Sequence, residues 1–269
     1  MIQFPNCKIN LGLNIVGKRS DGFHNIETVF YPIPFHDALE VMPSPDGVFQ
    51  FVQTGLNIPG AAGNNLCVRA FNLLQADFGL PGVKIHLHKV IPMGSGLGGG
   101  SSDGALTLKM LNDLFSIGLD HDRLMDYARL LGSDCAFFIG NRPVFANEKG
   151  DHFEPAMIDL SGLFICLVIP DVHVSTAIAY RMLIPEIPSV KVNEVVQLPM
   201  DQWKGMLVND FEKPIFVKFP VIRAIKEKLY KSGAIYASMS GSGSAVYGLF
   251  QERPNFGNQF SNCFTWVSP

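Results

Sequence analysis

The chain has 269 residues, 47% of them hydrophobic, a net charge of −3 and no block of like charges. That composition supports a large core, in one big domain or two modest ones, and the weak charge excludes nucleic-acid and membrane-surface binding in favour of a small-molecule ligand. No apolar run can span a bilayer, the amino terminus Met-Ile-Gln-Phe-Pro-Asn has no secretory pattern, and the five scattered cysteines form no Cys-x-x-Cys pair. We therefore expect a cytoplasmic protein with reduced, buried thiols; oligomeric state stays open.

Cys7, Ile9, Leu11, Leu13 and Ile15 alternate with Lys8, Asn10, Gly12 and Asn14, the period of a strand with one buried face. On that pattern Lys8 and Asn10 share the solvated face. Asp21-Gly22 makes a turn and Ile26 to Pro34 is rich in strand formers, which predicts a hairpin with Phe23 and His24 just past its tip. Asn64-Asn65 followed by Leu66, Ala70, Leu73 and Leu74 reads as an N-cap and an amphipathic helix ending near Gly79. Val83, Ile85, Leu87 and Ile91 share one face of the next strand, which Pro92 stops; His86 and His88 within it make a poor zinc site.

Directly afterwards comes Gly94-Ser-Gly-Leu-Gly-Gly-Gly100, five glycines in seven positions, feeding a helix with Ala105, Leu108, Leu111 and Phe115 on its apolar stripe. Few Cβ atoms stand in the way there, so backbone amides can approach a phosphate at a helix N-terminus. A further helix runs from Asp120 to Gly132. Asp134 then stands at the edge of the apolar run Cys135 to Ile139, either capping the next element or serving as a catalytic base at a mostly dry site. Irregular composition between Gly140 and Asp159 places a domain boundary near Gly150, giving domains of 1–150 and 151–269. Beyond it we expect a strand at Leu163 to Pro170, a proline-containing stretch from Ile184 to Pro199, a helix about Val221 to Ser232, and strands at Ala234 to Ser238 and Cys263 to Val267. Met239-Ser-Gly-Ser-Gly-Ser244 is a second small-residue loop, either a tight connection or one pressed against another backbone or a phosphate.

Gly94, Gly96 and Gly99 satisfy the dinucleotide spacing G-x-G-x-x-G, but the glycines continue beyond it, and no lysine follows as a Walker loop would require. Instead, Pro92-Met-Gly-Ser-Gly-Leu-Gly-Gly-Gly-Ser-Ser102 resembles the ATP-binding motif of the GHMP kinases, named for galactokinase, homoserine kinase, mevalonate kinase and phosphomevalonate kinase. Ser238-Met-Ser-Gly-Ser-Gly-Ser244 resembles that family's third motif. Pro5-Asn-Cys-Lys8-Ile-Asn10-Leu, Gly17-Lys-Arg-Ser-Asp-Gly-Phe23-His24 and Leu131-Gly-Ser-Asp134 resemble the branch that acts on a cytidine diphosphate ester of methylerythritol. Asn6-Cys7 depart from the usual small residues, and Gly104 replaces the usual Ala, which should weaken the first helical turn by up to ~1 kcal/mol.

The resemblance implies an α+β, two-domain GHMP kinase fold, with a ribosomal-protein-S5-like amino-terminal domain, a ferredoxin-like carboxy-terminal domain and the active site in the cleft between them. It implies phosphoryl transfer from ATP to the 2-hydroxyl of the cytidine diphosphate methylerythritol substrate. Asp134 would act as general base, and Lys8 would keep Asp134 ionised and neutralise charge on the transferring group. ATP would be held by Pro92, Met93, Gly94, Ser95, Gly96, Leu97, Gly98, Gly99, Gly100, Ser101 and Ser102, with Asn65, Leu66 and Lys89 on the adenosine side. The hydroxyl of Ser101 or Ser102 could join phosphate oxygens and water around Mg²⁺. Asn10, Phe23, His24, Phe30, Thr176 and Tyr180 would line the substrate site; core packing is the competing account of Phe30 and Tyr180.

Overall fold

A computed structural model describes residues 1–269. The chain opens with a short strand β1 (Ile2–Gln3) and continues into two long ones, β2 (Asn6–Lys18) and β3 (His24–His36), which pair through the expected Asp21-Gly22 turn. Strands β4 (Ala38–Pro43) and β5 (Gln50–Gly55) follow, then helix α1 (Leu66–Phe78) and β6 (Val83–Lys89). Asn65 caps α1 as its sequence suggests, its Oδ1 accepting from the Cys67 amide at 2.9 Å, and Gly79 ends the helix with φ of 64°. Three helices come next: α2 (Gly99–Leu114), α3 (His121–Leu131), capped by Asp120, and the short α4 (Cys135–Gly140). The remainder comprises β7 (Val144–Asn147), β8 (His152–Pro155), β9 (Phe164–Pro170), α5 (Thr176–Arg181), α6 (Val192–Val195), α7 (Glu212–Lys218), α8 (Pro220–Lys231), β10 (Tyr236–Met239), β11 (Val246–Phe250) and β12 (Cys263–Val267). No helix is long and apolar enough to cross a membrane.

The chain forms two compact units, and they do not follow a single cut at residue 150. The first comprises Met1–Cys7, Pro34–Met93 and Gly98–Arg142; the second comprises Lys8–Ile33, Gly94–Leu97 and Pro143–Pro269. Local composition marks where the chain becomes irregular, whereas β3, beside β2, pairs with β7 far along the sequence, so most of β2 and β3 belong with the carboxy-terminal half.

In the first unit the sheet order is β1-β4-β6-β5, antiparallel except for β5 beside β6, where α1 makes the crossover. Leu39, Val41, Ile85 and Leu87 from the sheet and Phe71, Leu74, Leu108 and Leu111 from the helices are fully buried, each stabilising the unit by roughly 1.5–3 kcal/mol. A Cβ on Gly104 would lie 2.8 Å from the Leu66 Cβ, so this glycine permits the close approach of α2 to the start of α1.

The second unit holds two sheets, ordered β2-β3-β7-β8 and β10-β11-β9-β12. Its core joins Leu13, Ile15 and Ile26 to Val168, Val246 and the inward faces of α7 and α8. Here the expectation of a half-solvated β2 is overturned: every residue from Asn6 to Ile15 is buried, with Lys8 3% and Asn10 2% exposed. The supposed solvent face is covered by Val192 and Leu207 at Gly12, and by Thr28, Phe30 and Ser240 around Lys8 and Asn10. Gly12, at φ of 63°, has no room for a Cβ, which would meet Leu207 Cδ1 at 2.7 Å. Next to it, Leu13 donates to Val208 O and accepts from the Asp210 amide, both at 2.8 Å.

Candidate active site

The first unit supplies a helix start beside a cavity. Gly98 has φ of 72° and α2 begins at Gly99, where a Cβ would lie 2.8 Å from Ile91 Cγ2. The first turn carries no acidic side chain to compete for the helix's positive end, and Ser102 Oγ is buried there with no hydrogen-bond partner. A cavity of about 330 Å³ adjoins this turn, lined by Asn65, Leu66, Met93, Gly100, Asp103, Phe51 and the 58–62 loop. Asn65 and Leu66, taken from the sequence as adenosine-side residues, therefore share one cavity with the glycine loop's Met93 and Gly100.

Lys89 is placed differently. It continues the buried face of β6, and its Nζ donates to Asp37 Oδ2 at 2.5 Å and Asp103 Oδ2 at 2.7 Å with no exposed side-chain surface. Its ammonium braces Asp103, which lines the cavity, and Lys89 is not itself among the lining residues. Burial opposes the charged form of Lys89, but the charges of Asp103 and Asp37 outweigh it and raise its pKa. Burial, helped by Asp37 and opposed by Lys89, pushes Asp103 up to about 7. Asp37 carried no signal in the sequence; its Oδ1 also accepts from the amides of Val90 and Ile91, at 2.5 and 2.8 Å, so it fixes the chain leaving β6.

Asp134 occupies the N-cap position of α4, yet its side chain makes no capping bond, which removes the capping account. It is half-buried, next to the Cys135 thiol, which burial pushes up to about 12 and so keeps neutral.

The second unit holds Lys8 and the beginning of the glycine loop. Lys8 Nζ donates to Asn10 Oδ1 at 2.6 Å and lies 4.6 Å from the centre of the Phe30 ring. Asn10 in turn donates to Thr28 Oγ1 at 3.0 Å, so its amide orients Lys8 from within the fold, and the buried Phe30 is both core and platform. Three successive carbonyls of the loop are committed to protein donors: Ser95 O to the Ala245 amide at 3.0 Å, Gly96 O to Ser240 Oγ at 2.9 Å, and Leu97 O to the Lys8 amide at 2.9 Å. Gly94, Gly96 and Gly98 have left-handed φ angles (64°, 81° and 72°), backbone that favours glycine at these positions. The second glycine loop is thus pressed against a backbone: a Cβ on Gly96 would fall 2.0 Å from Ser240 O.

At the tip of the β2–β3 hairpin, His24 stacks on Tyr180 with ring centres 4.8 Å apart, and Tyr180 meets Phe211 edge-on at 4.9 Å. Burial, with a smaller contribution from Lys18, lowers the His24 pKa. Phe23 is exposed, and Thr176, the first residue of α5, pairs with Ser242 of the second glycine loop at 3.0 Å. Sequence reasoning missed Thr28 and the Asn209-Asp-Phe-Glu212 segment; the latter's polar cluster ahead of a short helix was the available signal.

Against known proteins, residues 65–141 match the GHMP kinases N terminal domain and residues 199–263 the GHMP kinases C terminal domain. The chain is 49% identical to the 4-diphosphocytidyl-2-C-methyl-D-erythritol kinase of Cytophaga hutchinsonii, with 100% of both chains covered. It is 50% identical to the enzyme of the same name from Parabacteroides distasonis, over 99% of this chain and 98% of that one. A crystal structure of a 4-(cytidine 5'-diphospho)-2C-methyl-D-erythritol kinase superposes with a TM-score of 0.80 at 30% identity, covering 99% of this chain and 98% of that one.

Proposed function

The chain belongs to the 4-diphosphocytidyl-2-C-methyl-D-erythritol kinase family of GHMP kinases, and from this we infer its activity: an ATP-dependent kinase of isoprenoid precursor synthesis by the non-mevalonate route. It transfers the γ-phosphate of ATP to the 2-hydroxyl of 4-diphosphocytidyl-2-C-methyl-D-erythritol, giving the 2-phosphate and ADP. A cytoplasmic setting is part of this inference.

The roles of individual residues are our proposal. The bond from the γ-phosphorus to the bridging oxygen of ADP breaks as the bond to the substrate's 2-oxygen forms, and the hydroxyl proton passes to the carboxylate of Asp134. Lys8 offers its ammonium to the charge gathering on the transferring group. The single observation carrying this role is that Lys8 is 3% exposed and held at 2.6 Å by Asn10 Oδ1, a preorganised cation rather than a mobile surface one. The glycine-loop amides and the α2 N-terminus cradle the phosphates; Asn65, Leu66 and Met93 receive the adenosine. Divalent metal fits the donor set at the start of α2, where Ser102 Oγ lacks a partner. Ser102 or Ser101 would hold Mg²⁺ together with phosphate oxygens and water. Such an ion would neutralise phosphate charge. His24 and Tyr180 recognise the cytosine, the imidazole by its one donor and one acceptor and the phenol ring by stacking.

An ADP-release assay with purified protein tests the reading. The cytidine substrate should support turnover that mevalonate and homoserine do not; preferential use of either alternative would reassign the chain within the wider kinase family.

A further inference from the structure

Asn209 is 3% exposed and uses its whole carboxamide. Nδ2 donates to Met239 O and Gly241 O, each at 2.8 Å, and Oδ1 accepts from the Phe211 amide at 3.0 Å. The two carbonyls flank Ser240, so pinning them fixes a side chain that reaches both the Gly94–Leu97 segment and Asn10. Ser240 Oγ donates to Gly96 O at 2.9 Å and accepts from the Asn10 amide at 3.3 Å, and Asn10 Oδ1 holds Lys8 Nζ at 2.6 Å. There is no slack at the contact, because Gly96 leaves no space for even a Cβ against Ser240 O.

We propose that Asn209 is a positioning residue for phosphoryl transfer, acting through the second glycine loop to fix both the Gly94–Leu97 segment and the Lys8 ammonium. This rests on the reading of Lys8 and the glycine loop as kinase machinery. The rival is a purely local one, in which Asn209 serves only as a cap for the turn leading into α7. The two accounts separate chemically. Aspartate keeps the acceptor that Phe211 N–H needs but has no N–H to give to Met239 O and Gly241 O.

The test compares Asn209→Asp, Ser240→Ala and their double variant with wild type, using Ile222→Val as a control that loosens the same unit's core without touching either loop. Positioning predicts that Asn209→Asp lowers turnover of the folded enzyme by about tenfold or more while the substrate KM moves by less than about threefold. Ser240→Ala should reproduce the loss, and the double variant should be little worse than Ser240→Ala alone. Amide hydrogen exchange should quicken in peptides spanning 94–97 and 239–245, and it should stay as in wild type at these peptides in Ile222→Val. Wild-type turnover and exchange in Asn209→Asp would overturn the proposal. If that variant does not fold, unchanged exchange at 94–97 in Ser240→Ala would do so. A wild-type protein with no kinase activity would sink the functional reading instead, and the exchange measurements would still decide whether Asn209 holds the loop.

Discussion

Lys8 and Lys89 are both buried lysines on strands, 3% and 1% exposed, and they differ in what holds them. Lys89 lies between Asp37 and Asp103 in the first unit, and its charge is used in joining β6, the β3–β4 junction and α2. Lys8, in the second unit, is placed by an amide oxygen and an aromatic face. The two carboxylates beside Lys89 commit its charge to structure. The two lysines should therefore fail in different ways when removed.

The largest effect is expected at the reacting groups. Lys8→Ala and Asp134→Ala should each lower turnover on the order of 10²-fold or more while the protein still folds and binds ATP. Near-normal turnover in either would take that residue out of the mechanism. Lys89→Met should show the opposite profile. It strands two buried carboxylates, which costs about 3–5 kcal/mol, read as a lowered melting temperature with a smaller change in turnover per folded molecule. Acidity sharpens this contrast. Asp103 titrates near 7 in the fold against an ordinary 3.8, so the folded state binds the extra proton between those values, and stability falls as pH rises through that window. Lys89, raised above its ordinary 10.5, contributes stability that is present at lower pH and is lost only as pH rises beyond that value. Melting curves from pH 4 to 8 should show the first slope in wild type and lose it in Asp103→Asn.

How far the sequence foretells these differences depends on the range of the interaction. The α1 cap at Asn65, the stop at Gly79 and the α3 cap at Asp120 depend on neighbours within a few residues and are legible directly. Lys8 is not: alternation along β2 describes one strand and cannot reveal that Thr28, Phe30 and Ser240 gather around Lys8 and Asn10. Only the resemblance of motifs singled out Lys8 and Asp134. Asp37 and Asn209 escaped even that, because each gains its importance from backbone groups more than 25 positions away: Val90 and Ile91 for Asp37, Met239 and Gly241 for Asn209.

A smaller effect is expected at the hairpin tip. His24→Ala should raise the substrate KM more than it lowers turnover if, as proposed, the stacked His24–Tyr180 pair recognises the base and not the reacting hydroxyl. Burial lowers the His24 pKa below its ordinary 6.5, so the imidazole is neutral at pH 7. In wild type, KM should rise as acid protonates the ring, below pH 6.5, and the alanine variant should lack that rise.

The smallest effect tests whether the cavity wall is as rigid as the Lys89 cluster implies. By helix propensity, Gly104→Ala in α2 should stabilise the protein by up to ~1 kcal/mol. The new methyl, however, would stand 2.8 Å from the Leu66 Cβ, an atom fixed to the backbone at the start of α1 and unable to swing aside. Leu66 also lines the cavity beside the glycine loop, so whatever relieves the clash must shift that wall. We expect overpacking to win, with a net loss of about 1 kcal/mol and a severalfold rise in the KM for ATP at nearly unchanged turnover. A gain in stability with unaltered ATP affinity would mean that α1 and α2 can part freely. The Lys89 cluster would then brace α2 alone, leaving Asn65 and Leu66 outside the wall it holds.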